Sequence, residues 1–478
     1  MTSMQTENFY SRRQALSRAA GGFGSLALGA LLAEESRAAE KSRGTAPGRL
    51  DPLSPKKPHF APRAKNVIFI YMTGGVSHVD SFDYKPRLFE QHGKKITVDN
   101  WQGKLGNFTR YLKRPDWKFK PNKRTGAMVS DLFPHIREVM DDICLVRSME
   151  SNHTNHYEAT LGIHTGSWTF ARPSLGSWVS YGLGTENRDL PSFLVIAPKE
   201  PYAGGQTWGS DFLPGSHQGT RITPGANPVP NLKRRASTAS QQRLELDLIS
   251  ELNRKHLEER ELDQALDARI RSFETAFGMQ QAAPELFDLS GETDKTLALY
   301  GIERGKTSGF GWQCLMARRL AEKGVRFIEL IDTGSSGNWD SHGNMNAHGP
   351  LARNVDKPIA GLLTDLKQRG MLNDTLVVWT TEFGRTPYHE EAKHPGREHH
   401  HQAFASWFAG GGTRAGLDYG STDEHGIAVA DKRVHVHDFH ATLLHILGLD
   451  HEHLTYRHAG RDYRLTDVHG EVIHDLLT

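Results

Sequence analysis

Apolar residues fall into two patterns along this chain. Short, continuous, partly β-branched runs appear at NVIFIYM (66–72), ICLVRSM (143–149), PSFLVIAP (191–198), VRFIELI and TLVVWTTE. Runs without polar alternation read as strands covered on both faces, as in a parallel sheet. Elsewhere the apolar residues return at helical spacing. GWQCLMARRLAEKG leads into VRFIELI, and ARNVDKPIAGLLTDLKQRG leads into TLVVWTTE. This helix–strand alternation predicts an α/β fold with a mostly parallel central sheet. From about 232 to 282 the chain is charged, with apolar residues at helical spacing, which predicts a helical insertion of one or two amphipathic helices. Residues 199–230, rich in Gly, Pro and aromatics, read as a long surface excursion of the kind that often carries function.

Such sheets bind ligands at the carboxyl ends of their strands. The chemistry-bearing segments fall there: GGVSHVD after 66–72, NHTNH after 143–149, WDSH after VRFIELI, and EFGR at the end of TLVVWTTE, with GREHHH close behind. The candidate metal ligands are His78, Asp80, Asp340, His342, Glu382 and either His399 or His400, with His401 the weakest of its triplet. Glu382 ends a buried strand, where a carboxylate is unfavourable unless a metal or a cation such as Arg385 satisfies it. Mixed oxygen and nitrogen donors suit a divalent metal ion, whether zinc, manganese, iron, magnesium or calcium. Arg385 and Arg397 flank the carboxylate and histidine segments. They are candidates for gripping a substrate oxyanion, or for neutralising nearby carboxylates. His156, at the start of a helix after His153 and Thr154, is the catalytic candidate: an acid or base, a ligand, or a transient phospho-acceptor. His437, His440 and His445 lie on an apolar helix and read as structural.

Composition narrows the classes. Hydrophobic residues make up 37% and charged residues 24% of 478, enough for a sizeable core and unlike a disordered chain. A formal charge of +2 leaves no chain-wide basic excess, so no nucleic acid is expected as the main partner. The two cysteines, Cys144 and Cys314, form no CxxC motif and read as buried thiols or one disulfide. Near the N-terminus, Arg12–Arg13 is followed by the 15-residue apolar stretch 19–33 and then by small residues. This resembles a twin-arginine signal over residues 1–39 and implies the twin-arginine machinery as a partner and a periplasmic or extracellular location. The apolar stretch is short for a membrane span, and no later stretch is long enough. A linker is expected over 40–64 and a single domain with its helical insertion over 65–478.

Taken together, SRRQAL, GGVSHVDSFDYKP, HYEATLGIHTG, RPSLGSWVSYGLG, WDSH, EFGRTP, GREHH, AGGGTRAG and DFHATLLHILG resemble the domain-of-unknown-function 1501 family over nearly the whole mature chain. The resemblance implies an alkaline-phosphatase-like three-layer αβα sandwich and a one- or two-metal ester hydrolase site. NDTLVVWTTEFG is similar to the sulfatase strand that ends in Asp-His-Gly, with Glu382 on the aspartate and Phe383 on the histidine. HYEATLGIHTG is similar to the helix that begins with the nucleophile, and counting back from Thr165 puts His156 in the nucleophile's place. Thr73 and Gly74 stand where acidic ligands usually sit. The expectation is an exported metal-dependent hydrolase of phosphate or sulfate esters, with a small-molecule or polysaccharide ester as substrate. The alternative is a non-catalytic, metal-bound binding or accessory protein.

Overall fold

Every residue of Asn66–Met72 is buried, and the strand it forms lies within the main sheet rather than at its edge. The computed structural model describes residues 51–101, 104–187, 189–229, 238–258 and 264–478. Residues 1–39, where a twin-arginine signal is expected, lie outside them. The main sheet has nine strands: β1 Asn66–Met72, β2 Ile143–Glu150, β3 Phe193–Ile196, β4 Thr220–Ile222, β5 Phe327–Ile331, β6 Thr375–Thr381, β7 Phe404–Ala409, β8 Asp418–Tyr419 and β9 Val434–His435. Their order is β8-β2-β7-β6-β1-β5-β3-β4, with β9 also paired to β2. All pairings are parallel except those of β7 with β6 and with β2. The carboxyl ends of β1, β2, β5 and β6 therefore share one edge, and the chain enters the reversed β7 from that same edge.

The period-two alternation of β1 divides the core. Ile68, Ile70 and Met72 join one buried cluster with Phe310–Glu322 (α3) and His348–Gln368 (α4). Val67, Phe69 and Tyr71 join the other, with Leu175–Leu183 (α2) and Val436–Ile446 (α5). A sheet buried on both faces under helices is a three-layer αβα sandwich, as the continuous apolar runs predict.

Residues 52–64 lack regular secondary structure but are fastened to the domain. The Lys56 amide donates to the Leu183 carbonyl (2.9 Å), His59 to Gly448 (2.9 Å) and Arg63 to Ile446 (2.8 Å). Helices occupy Ala239–Glu258 and Gln264–Phe287, in the stretch read as an insertion. The described residues fall into two compact units: one holds the helix Ala239–Glu258, and the other holds 52–229 and 264–478, including every element of the sheet. Cys144 and Cys314 are buried and unpaired. Among the described residues no helix is long and apolar enough to cross a membrane.

Candidate metal centre

Glu382 follows β6 directly and is fully buried. Its carboxylate accepts from the Gly74 amide (2.8 and 3.1 Å), Tyr71 Oη (3.0 Å) and Thr381 Oγ1 (3.0 Å). His156 Nδ1 lies 2.7 Å from it. Burial alone would raise the Glu382 pKa, but His156 and the Tyr71 hydroxyl outweigh burial and hold it below the usual range. Gly74 permits this arrangement, because it has φ +112° and a Cβ there would sit 2.7 Å from the Asp340 amide.

His156 is the first residue of the helix His156–Thr165 (α1), where the Asn155 side chain caps the Tyr157 amide. With Nδ1 held by Glu382, its Nε2 points the other way. That atom is buried, 3.2 Å from Asp340 Oδ2, and has no aligned hydrogen-bond partner. Burial lowers the His156 pKa, but the carboxylates of Asp340 and Glu382 beside it raise it overall.

Asp340 and His342 come from the loop after β5. Asp332 anchors that loop by accepting from Trp339 Nε1 (2.6 Å) and the Thr73 amide (3.1 Å), and burial pushes its pKa up to about 6. Asp340 Oδ1 takes Arg385 Nη2 at 2.7 Å and lies 3.0 Å from His342 Nε2 and 3.3 Å from His399 Nε2. Burial would raise the Asp340 pKa, yet the three histidines and Arg385 hold it far below the carboxylate range.

His342 Nε2 and His399 Nε2 are 2.8 Å apart. Behind them, His342 Nδ1 faces Glu398 Oε2 (2.9 Å), and His399 Nδ1 donates to the Thr154 carbonyl (2.6 Å). Each of the three imidazoles thus has an acceptor at Nδ1, which fixes its tautomer and turns Nε2 inward as ligating histidines are commonly held. The ligand atoms of His156, Asp340, His342 and His399 all lie within 4.8 Å of one another. Such convergence calls for a positive charge. The Asp340 and Glu398 carboxylates raise the His342 pKa to about 9, so without a metal a proton supplies that charge. The donor set and the unsatisfied His156 Nε2 fit a divalent metal ion. Side-chain exposure rises from 9% at His156 through 17% at His399 and 25% at Asp340 to 40% at His342, so the centre is open on its His342 flank.

Other residues singled out from sequence lie elsewhere. Asp80 is fully buried and paired with Arg397 Nε at 2.6 Å. His78 Nε2 donates to the Gly426 carbonyl (2.9 Å) and His400 Nε2 to the Ile427 carbonyl (2.6 Å), with the two rings stacked 5.8 Å apart. Glu382 supports a ligand instead of joining the convergent set. Arg385 and Arg397 have no exposed surface, and all their guanidinium nitrogens are bonded within the protein: Arg385 to Gly74, Gly75, Asp340 and Arg397, and Arg397 to Asp80, Thr386 and Lys113. Neither guanidinium presents itself to a substrate anion.

Sequence reasoning passed over Glu398, Tyr202 and Asn338. The Tyr202 ring stacks on His156 at 4.2 Å, and its hydroxyl accepts from Asn338 Nδ2 (3.0 Å). Asn338 Oδ1 also takes the Asp340 amide (3.1 Å). The signal for Tyr202 was its place in the long 199–230 excursion. For Glu398 it was adjacency to the histidine triplet.

Fold and site together define an α/β protein with a three-histidine, one-aspartate candidate metal centre at the carboxyl edge of its sheet. The chain belongs to the family described as "Protein of unknown function (DUF1501)", which matches residues 64–477. No curated protein matches the sequence. Among solved structures the chain is similar to the lipoteichoic acid synthase LtaP from Listeria monocytogenes, at 8% identity and TM-score 0.35, covering 86% of this chain and 78% of that one. It is similar to the PsFucS1 sulfatase from Pseudoalteromonas sp., at 12% identity and TM-score 0.34, covering 83% and 69%. It is also similar to the alkaline phosphatase from the Antarctic bacterium TAB5, at 13% identity and TM-score 0.30, covering 73% and 92%. These are likenesses of chain trace, and no residue role is carried across them.

Proposed function

We propose that the protein is an exported, metal-dependent hydrolase of phosphate or sulfate esters. One observation carries this reading: three imidazoles with Nδ1 held by Glu382, Glu398 and the Thr154 carbonyl converge their Nε2 atoms on Asp340. Three nitrogen donors and one oxygen favour zinc, manganese or iron over magnesium and calcium, which prefer oxygen shells. A bound divalent metal would supply an acidified water and polarise the ester oxygen. The chain's own residues fix the rest. Glu382 and Glu398 keep His156 and His342 oriented, and Arg385 orients Asp340 and balances its charge. The open His342 flank admits water and substrate. With His156 in the ligand set, no serine, threonine or cysteine fills the nucleophile's place, so water attacks phosphorus or sulfur directly. The ester P–O or S–O bond breaks, and a proton from the attacking water ends on the alcohol released. Export rests on Arg12–Arg13 and the apolar stretch after them.

The test is metal analysis of the purified mature protein together with a screen of phosphate and sulfate esters. About one metal per chain and hydrolysis abolished in His342→Ala are expected. A wild-type protein without stoichiometric metal refutes the proposal. A second reading, a metal-bound binding protein without catalysis, is favoured by the burial of Arg385 and Arg397. Bound metal with no hydrolysis across a broad screen selects it.

A further inference from the structure

Residues 94–124 contain ten lysines and arginines against two acids, Asp99 and Asp116, in a chain of net charge +2. Near neutrality overall therefore hides a strongly basic segment. Lys94, Arg114, Lys118 and Lys123 are exposed and have no ion pair among the described residues. The segment begins as a hairpin of Lys95–Trp101 with Lys104–Leu112, and the second strand pairs with Tyr388–His389.

Those contacts set the segment beside the open flank of the metal centre. His389 Nε2 lies 3.7 Å from Glu398 Oε1, and the other oxygen of Glu398 holds His342. Arg397 Nη2 donates to the Lys113 carbonyl (3.2 Å), two residues before His399. Trp117 packs against His348, and His348 Nδ1 lies 3.0 Å from the hydroxyl of Ser341, which sits between Asp340 and His342. The basic segment thus touches the supports of both ligand-bearing loops.

We infer that this segment is the docking surface for an anionic polysaccharide, a linear polymer carrying sulfate or phosphate groups, which it holds across the mouth of the metal centre. Docking itself is independent of the hydrolase reading; only the fate of the bound ester groups rests on it. Exposed positive side chains concentrated in one segment attract a polyanion through summed field and counterion release. Binding of single-stranded nucleic acid would also call for open aromatic faces to stack bases. The segment's aromatics with described side chains are already engaged: Tyr111 under Lys95, Phe108 against Arg110, Trp117 on His348 and Phe119 on Tyr84.

The experiment compares dextran sulfate, neutral dextran, a poly(dT) oligonucleotide and phosphatidylglycerol vesicles as ligands of the full chain, with metal content measured in parallel. Dextran sulfate is expected to bind, with Kd rising at least about tenfold between about 50 and 200 mM salt. The variant K94E/R114E/K118E/K123E should bind about a hundredfold more weakly. The same four sites changed to Gln should weaken binding in the same direction, which separates lost charge from a damaged fold. The control K57E/K295E/K306E/K357E, with an equal charge change at exposed lysines outside the segment, should stay within about threefold of wild type. Binding unchanged by the four-site variants overturns the inference. So does neutral dextran binding equally well, or tighter binding of poly(dT) or vesicles than of dextran sulfate. Metal-free wild type that still binds dextran sulfate refutes the hydrolase reading alone.

Discussion

His342 and His440 use the same ring in opposite ways. At the candidate metal centre, His342 turns Nδ1 to the Glu398 carboxylate and leaves Nε2 facing His399 Nε2 and Asp340. In the core beneath α5, His440 donates Nε2 to the Ile163 carbonyl (2.8 Å), and His437 does the same to Gly166 (3.0 Å). The Nδ1 atoms of both are buried without a hydrogen-bond partner. Both regions are rich in histidine, but only the first aims its free nitrogens at one point. A candidate metal site in a chain with 26 histidines is therefore marked by convergence backed by acceptors, and not by histidine number.

The sharpest way to break this comparison is to truncate one ring in each region. His342→Ala or His399→Ala is expected to take metal from about one per chain to background, with a urea unfolding midpoint close to that of chelator-treated wild type. His440→Ala should keep the metal and lose roughly 2–4 kcal/mol of stability, because it empties a fully buried site. Metal loss on His440→Ala would collapse the distinction.

Glu382→Gln probes the acceptor behind His156 without touching a ligand. Competition with a chelator should show metal affinity reduced about 10–100-fold. An unchanged affinity would mean that Glu382 does not orient the ring.

The pH response separates the regions further. Burial lowers the His440 pKa to about 3, against about 6.5 for an unfolded histidine. The unfolded chain therefore binds a proton that the folded chain refuses as pH falls from about 6.5 toward 3, so stability drops over that window. At about 1.4 kcal/mol per pH unit this amounts to a few kcal/mol at most. His440→Gln should make that acid limb shallower by about one proton in urea titrations at several pH values, because His217 and His348, also lowered by burial to about 3, titrate over the same window.

The smallest effect is expected at His153, which is 41% exposed and belongs to neither region. His153→Ala should change stability by less than about 0.5 kcal/mol and leave metal content unaltered.

The parallel sheet and its functional edge were legible because continuous apolar runs and their order determine them. Asp340, His342 and His399 were legible as candidates at strand ends, and the fold brings their side chains together. The choice between His399 and His400 was not, because it depends on a pairing formed only in the fold. The two residues lie opposite Arg385 and Gly384 in a two-stranded ribbon, and successive side chains leave a strand on opposite faces. One therefore reaches the centre and the other stacks on His78. His78 and Asp80 misled because the Gly74–Gly75 turn carries them into a short helix, where Arg397, remote in sequence, captures Asp80. Arg385 and Arg397 looked available because a sequence shows charge without burial. The basic stretch at 94–124 disappeared into the near-zero net charge of the whole chain.

X-ray absorption at the metal edge, on wild-type protein as purified, tests the central claim most directly. The expected result is a single metal with first-shell distances of about 2.0–2.2 Å and the outer-shell scattering of about three imidazoles. No metal edge above background, or a shell without imidazole scattering, would contradict a centre built from His156, His342, His399 and Asp340.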